Sequence, residues 1–320
     1  EGHTAHETED EAIKMAMTAL DWYRQIYEDY FAMKVILGTK SATEKFAGAK
    51  TTFTVEALMP DGKALQGATS HNLGQNFSKP FDIHFQNREG KEDYVWQTSW
   101  GLSTRSLGGL VLTHGDDQGL ILPPKIAPVQ AIIIPIFKSG QDDHELLAYC
   151  GELLEAFANA GIRARLDSRK EESVGRKFND WEIKGIPVRI EIGTAETKER
   201  TVTIVRRDTG EKTTIARWGV LVALQKSLAQ VQSGLLAKSQ MFLTEHTHDA
   251  DSYEEFKKIM STTRGFIRAF WCEESECEAK IKEETKATTR CLPLEAKVEQ
   301  GTCVGCGKSA KHRWVFAQSY

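Results

Sequence analysis

The chain has 320 residues, with 41 Lys and Arg against 45 Asp and Glu and a formal net charge of -4. At roughly 150 residues per domain this is the length of about two domains, or three small ones. Hydrophobic residues make up 40% and charged residues 27%. That globular balance excludes a disordered chain, a collagen-like repeat and a strongly basic packaging protein. No apolar run approaches the roughly 18 residues a membrane helix needs. The opening Glu1-Gly2-His3-Thr4 lacks a basic segment followed by an apolar one, so no secretory signal is expected. Without an initiating Met, the sequence reads as the later part of a longer protein.

Thr8-Glu9-Asp10-Glu11 has the spacing of a capping box. Ile13, Met17, Leu20, Tyr23, Tyr27 and Phe31 follow at helical intervals, predicting one helix to about residue 34, with Gly38 ending the pattern. From Lys50 the period becomes two. Phe53, Val55 and Ala57 alternate with polar residues, Pro60-Asp61-Gly62 makes a turn, and Ala64 to Gly67 starts a returning strand. Further strands are expected at Phe81–Phe85 and Tyr94–Trp100. A helix followed by successive antiparallel strands predicts an α+β sheet.

Leu122-Pro123-Pro124-Lys125-Ile126-Ala127-Pro128 has the composition of a stiff linker. Beyond it, the continuous apolar run from Ala131 to Ile136 predicts a buried parallel strand. Helices at 143–160 and 174–184 alternate with strands at 162–166 and 188–192. A strand at 201–206 leads into the turn Asp208-Thr209-Gly210, and a long helix covers 218–243. This is the grammar of a separate α/β domain. The stretch 161–217 is more basic than its surroundings and 245–300 more acidic, so the middle region is the one suited to a phosphate backbone. The predicted divisions are 1–122, a linker at 123–128, 129–244 and 245–320.

Five of the six cysteines fall in the last 50 residues. Cys272-x4-Cys277 and Cys303-x2-Cys306 form two close pairs, the spacing of a closed tetrahedral thiolate site for Zn²⁺ in a reduced compartment. Four buried or free thiols are the competing reading. Cys150 and Cys291 are expected to be packing residues. Two other segments carry polar chemistry. Gln66 to Phe77 sets Thr69, Ser70, His71 and Asn72 between apolar positions, and His71 could serve a small substrate as donor or acceptor. Trp100-Gly101-Leu102-Ser103-Thr104-Arg105 ends a strand and begins a helix with a planar guanidinium, suited to a nucleobase face or a phosphate. A hydrogen-bonded turn and a structural ion pair are the plainer alternatives for these two.

Together with Glu44-Lys45-Phe46-Ala47-Gly48, these segments resemble the catalytic core of the class II prolyl-tRNA synthetases. The type resembled is the archaeal and eukaryotic one, with a C-terminal zinc-binding domain. Glu1 to His6 resembles the exit of that family's motif 2, and Ser103-Thr104-Arg105 its motif 3. Val174 to Phe178, Trp181 to Pro187 and Arg206 to Gly210 resemble the anticodon-binding domain. The resemblance extends over the tail to Ser319-Tyr320.

It implies a partial α+β antiparallel catalytic core, an α/β anticodon-binding domain and a small zinc-binding α/β domain. It implies an aminoacyl-tRNA ligase that activates L-proline with ATP and Mg²⁺ and transfers it to tRNA(Pro). It also implies a cytoplasmic homodimer without membrane attachment, with upstream catalytic residues outside these 320. Arg105 and His71 would be catalytic, and Gln66, Thr69, Ser103 and Arg105 would bind ATP, with Gln66 also near Mg²⁺. Phe46, His71, Trp100 and Gly101 would line the proline pocket. Glu56 is a weaker candidate for the Mg²⁺ side. Cys272, Cys277, Cys303 and Cys306 would hold zinc, and Tyr320 would come near the active site. Arg165, Arg169 and Lys177 are candidates for anticodon contact on charge and position alone. A non-catalytic, synthetase-like tRNA-binding scaffold is the alternative from another class. A class II synthetase for another amino acid is a narrower one.

Overall fold

The computed structural model describes residues 1–138 and 142–320. It forms two compact units. One comprises Glu1–Asp29, Met33–Thr113 and Ser239–Tyr320, and the other Tyr30–Ala32 and His114–Lys238.

The first unit opens with strand β1 (Gly2–His6) and helix α1 (Glu9–Gln25). The capping box is present, with Thr8 accepting from the Glu11 amide and Glu11 reaching back to the Thr8 amide. The helix predicted to residue 34 changes hand-hold earlier. A π-helical turn covers Ile26–Tyr30, and Ala32, at φ 53°, ends the run. The wider turn carries Tyr27 inward, where its hydroxyl donates to Ser106 Oγ at 2.8 Å. Strands β2 (Val35–Thr39), β3 (Thr51–Leu58) and β4 (Ala64–Gly74) follow. A short hairpin of β5 (His84–Gln86) and β6 (Glu92–Tyr94) precedes β7 (Trp96–Leu102) and helix α2 (Arg105–His114). Gly38 ends no helix. It lies within β2, where a Cβ would fall 2.5 Å from the Leu292 carbonyl oxygen and 2.6 Å from Cys291 Sγ.

The second unit has the expected alternation. Its elements are β8 (Ala131–Pro135), α3 (His144–Asn159), β9 (Ala164–Leu166), α4 (Val174–Ile183), β10 (Val188–Ile192), α5 (Thr194–Glu199), β11 (Thr201–Arg206) and β12 (Lys212–Ala216). Helix α6 (Val220–Glu245) completes it and runs on into the first unit's sequence. The sheet order is β12-β11-β10-β8-β9, with β8 parallel to both β9 and β10. All five β8 residues are buried, which is why the sequence there is a run rather than an alternation. Ile133, Tyr149, Leu153, Phe157, Ile190 and Leu224 centre the core.

The C-terminal elements are β13 (Thr247–Ala250), α7 (Tyr253–Ser261), β14 (Phe266–Phe270), α8 (Ser275–Thr285), β15 (Thr288–Pro293), the two-residue strands β16 (Gly301–Thr302) and β17 (Ser309–Ala310), and β18 (Arg313–Ala317). They do not form a separate sheet. β15 pairs with β2 through Leu292 and Pro293, giving one nine-stranded sheet in the order β1-β7-β4-β3-β2-β15-β18-β14-β13. A core of Phe256, Trp271, Trp314 and Phe316 anchors this end. Trp271 meets Trp314 edge-to-face at 5.0 Å between centroids, an arrangement worth about 0.5–1.5 kcal/mol beyond area burial. Among the described residues no helix is long and apolar enough to cross a membrane.

Candidate active face and candidate metal centre

Side chains alternate across a strand, and directly opposed residues share a face. The β3–β4–β7 register therefore sorts the polar residues. His71 lies opposite Thr52 and Ser99, and Thr69 opposite Thr54 and Gly101. A bulge follows: Val55 opposes Ala68 but Glu56 opposes Gln66, leaving Gly67 extra. That one residue returns Gln66 to the face of Thr69 and His71. Ser103 lies just past the end of β7, exposed, with its hydroxyl accepting from the Arg105 amide at 3.3 Å.

The other face belongs to α1. Ser70 donates to the Ala16 carbonyl at 2.7 Å, and Ala12, Ala16 and Ala19 are fully buried. Trp100 opposes Ser70 and Gly2, and its ring meets Trp22 edge-on at 5.8 Å. The expected pairing of Trp100 with His71 in one pocket therefore fails. The indole is on the α1 side, and only Gly101 of that pair is on the polar side.

Phe46 does meet His71. Their ring centroids are 5.0 Å apart, and Phe46 is 49% exposed. The Phe46 amide donates to Thr52 Oγ1 at 3.0 Å, and that hydroxyl shares a hydrogen with His71 Nδ1 at 2.9 Å. Burial holds the His71 pKa below the usual imidazole value against the opposing pull of the Glu1 carboxylate, so the ring is neutral at pH 7. Arg105 opens α2 and is exposed, with no ion-pair partner among the described residues. Phe46, Gln66, Thr69, His71 and Gly101 thus share one side of the sheet, and Ser103 and Arg105 follow in the chain from the end of β7.

Glu56 has a different duty from the one expected. It is fully buried, accepting from Lys40 Nζ at 2.8 Å and from Arg290 Nε and Nη2 at 3.0 and 2.9 Å. With both cations committed to it, its carboxylate is closed to Mg²⁺. Tyr320 rests on the β3–β4 turn, its amide donating to the Ala64 carbonyl at 3.3 Å and Lys63 Nζ lying 4.9 Å from the ring centroid. Burial and a hydrogen bond to Asp61 push its phenol up to about 12.

The cysteine pairs converge. The Sγ atoms of Cys272, Cys277, Cys303 and Cys306 all lie within 4.8 Å of one another. The Cys277–Cys303 and Cys272–Cys306 separations are 3.6 and 3.5 Å. Four sulfurs about 2.3 Å from one ion would stand about 3.8 Å apart, so the set fits a tetrahedral Zn²⁺ with no position left for water. Gly305 leaves the room: a Cβ there would fall 2.8 Å from Cys277 Sγ. Burial, and then the neighbouring Cys303, pushes the Cys277 thiol far up, so a cation is what would hold it as thiolate. Around the cluster Glu273 accepts from Trp314 Nε1 at 3.1 Å and Lys308 pairs with Glu274. Cys150 and Cys291 are fully buried away from it.

Residues 130–227 match the family model described as Anticodon binding domain, and residues 253–320 match Prolyl-tRNA synthetase, C-terminal. The chain carries both domains. A curated relative named Proline--tRNA ligase from Flavobacterium psychrophilum is 46% identical over 320 residues. Others of that name, from Amoebophilus asiaticus and Natranaerobius thermophilus, are each 45% identical, over 320 and 322 residues. Each alignment takes in the whole chain but 65% of the first two relatives and 66% of the third. The chain thus spans just under two thirds of the length of the curated relatives it matches. All four clustered cysteines lie in the prolyl-tRNA synthetase C-terminal domain.

In the anticodon-binding domain, two of the three cations expected to contact RNA are occupied. Lys177 is 0% exposed, its Nζ 3.4 Å from the Asp167 carbonyl and 4.6 Å from the Phe137 ring centroid. Arg169 is paired with Asp167 and Asp180 at 2.7 and 3.0 Å, and it holds the Asp167 carboxyl down at about 2. Arg165 alone is exposed. A recess of about 360 Å³ that sequence reading missed is lined by Trp181, Glu182, Arg189, Arg206, Arg207 and Lys212. Its arginines alternate with carboxylates: Arg189 with Glu182 and Glu191, Arg206 with Asp208, and Arg207 with Asp116. The Trp181-Glu182 and Arg206-Arg207-Asp208 motifs were visible in sequence, but nothing there brings them together.

Proposed function

We propose that this chain works as part of a proline–tRNA ligase, a class II synthetase that forms prolyl-adenylate from L-proline and ATP·Mg²⁺ and passes the prolyl group to tRNA(Pro). The observation that carries this reading is that relatives of that name align along all 320 residues at about 45% identity. The polar face of β3, β4 and β7 is the part of the catalytic domain present here. The proline carboxylate attacks the α-phosphorus of ATP, pyrophosphate leaves, and the terminal ribose hydroxyl of the tRNA then takes the prolyl group. The protein's work is alignment and charge neutralisation. Arg105 and Ser103 meet the nucleotide, Gln66 and Thr69 the phosphates, with Gln66 on the Mg²⁺ side. Phe46 and neutral His71 bound the pyrrolidine ring, and Gly101 leaves space below it. Trp100 acts only through its packing. The four cysteines hold a structural zinc.

The anticodon-binding domain takes the tRNA, and its recess has the size and donor–acceptor mixture to hold a base. The working form is a cytoplasmic homodimer that includes the further third of its relatives' length. The scaffold alternative has no observation in its favour.

The test is proline-dependent ATP–pyrophosphate exchange, measured on the protein extended to its relatives' length. Exchange should require proline among a panel of amino acids. Arg105→Ala should lower it by about a hundredfold or more while the circular dichroism spectrum stays unchanged. Exchange indifferent to proline would remove the proposal, and an unaffected R105A rate would remove the assignment of that arginine.

A further inference from the structure

Glu278 is a buried carboxylate that neither the metal cluster nor the polar face uses. It follows Cys277 in the first turn of α8 and is 5% exposed. Among the described residues it has no cationic partner. Its donors are three hydroxyls instead: Ser41 Oγ at 3.2 and 3.4 Å, Thr43 Oγ1, and Thr289 Oγ1. Ser41 and Thr43 begin the segment that carries Phe46. Ser41 Oγ also accepts from the Glu44 amide at 3.2 Å, and its carbonyl accepts from the Lys45 amide at 2.9 Å. The next amide, Phe46, reaches Thr52 Oγ1 and through it His71. Hydrogen bonds therefore run from the helix end bearing a cysteine of the cluster through Ser41 to the Lys45 amide, and one peptide link further on they resume from the Phe46 amide to Thr52 and His71. Residues 46 to 48 are exposed, and the rest of the loop's anchorage comes from Asn76 Nδ2 donating to the Gly48 carbonyl at 2.7 Å, from Glu44 paired with Lys282 at 3.8 Å and from the buried Ala49.

We propose that Glu278 is a positioning residue that fixes the 41–49 segment, and with it the Phe46 ring, against His71. A carboxylate suits the task because it accepts from several hydroxyls at once and donates to none, so all three are drawn to one point. Its catalytic consequence rests on the proposed function, as a selective effect on the amino-acid pocket.

Hydrogen exchange by mass spectrometry on the full chain tests the proposal directly. Glu278→Leu should speed exchange of the Phe46 and Ala49 amides about tenfold while the β14 amides keep their rates. Glu278→Gln, whose amide oxygen still accepts, should restore most of the protection. Thr43→Val removes one of the same contacts from an exposed position, where a substitution is expected to cost the domain little stability, and should loosen the same segment. In the exchange assay E278L should raise KM for proline about tenfold with kcat changed by less than about twofold. Unaltered exchange at 41–49 in both E278L and T43V, or loosening shared equally with β14, would overturn the proposal. A protein without any proline-dependent activity would count against the function instead, and the hydrogen-exchange result would still decide the role of Glu278.

Discussion

Withdrawing the zinc proposed for the cysteine cluster is expected to unfold the C-terminal end of the nine-stranded sheet. The four sulfurs sit within 4.8 Å, and α8, the Phe270–Glu274 segment and the β16–β17 turn all meet there. Without an ion these elements are held by a modest core and four mutually crowded thiols. Structural zinc binds small zinc peptides with an apparent 10–16 kcal/mol, roughly the scale of a whole domain's stability. Metal analysis should give about one Zn per chain. Chelation, or Cys277→Ala, should lower the melting temperature by more than any single substitution elsewhere in this unit. Trp271 and Trp314, in contact beside the cluster, should report the loss as a fluorescence change. Less than about a tenth of an equivalent of metal, with an unchanged melting temperature after chelation, would return the cysteines to the status of ordinary thiols.

Glu56→Gln is expected to cost about 3–5 kcal/mol, because it strands two buried cations. Lys40 and Arg290 are 1% and 5% exposed at the side chain and both point at this carboxylate. Burial alone would raise the Glu56 pKa. The charges of Lys40 and then Arg290 outweigh it and hold the carboxyl below its usual value. The sign follows from linkage. With the folded-state pKa depressed, the contribution is complete above the ordinary glutamate value of about 4.3 and is lost as pH falls through the lower folded value. The stability gap between wild type and E56Q, read from urea melts, should be constant from pH 8 to about 5 and narrow only in acid. A gap under about 1 kcal/mol at pH 7 would mean that the network contributes no more than a surface pair.

How much of this was legible in sequence depended on range. The capping box at Thr8–Glu11, the apolar run at Ala131 and the cysteine pairs are local or spaced patterns, and the structure has the corresponding elements. The association of Arg290 with Glu56 spans 234 residues, and no periodicity announces it. Glu56 looks like a free acidic residue on a strand, but its partners Lys40 and Arg290 come from elsewhere in the chain. Trp100 is a different kind of miss. Trp100 and Gly101 are neighbours in one strand, and neighbours in a strand face opposite ways, so they could not both have floored a pocket. Gln66 joined Thr69 and His71 only through the bulge at Gly67, which strict alternation would have denied. The charge of Lys177 suggests RNA contact, but its stem and amine are spent inside the domain against Phe137 and the Asp167 carbonyl.

The pairing of β2 with β15 also sets a schedule for synthesis. Thr39 leaves the ribosome long before Leu292 does, and Glu56 precedes Arg290 by 234 positions. At 5–20 residues per second the nascent chain must wait roughly 10–50 s for its missing neighbour. During that interval the β2 border lies bare and an acid destined for the interior is only half neutralised. Molecules stalled or truncated before residue 290 would keep that sticky rim, making them natural clients for chaperones and seeds for aggregation.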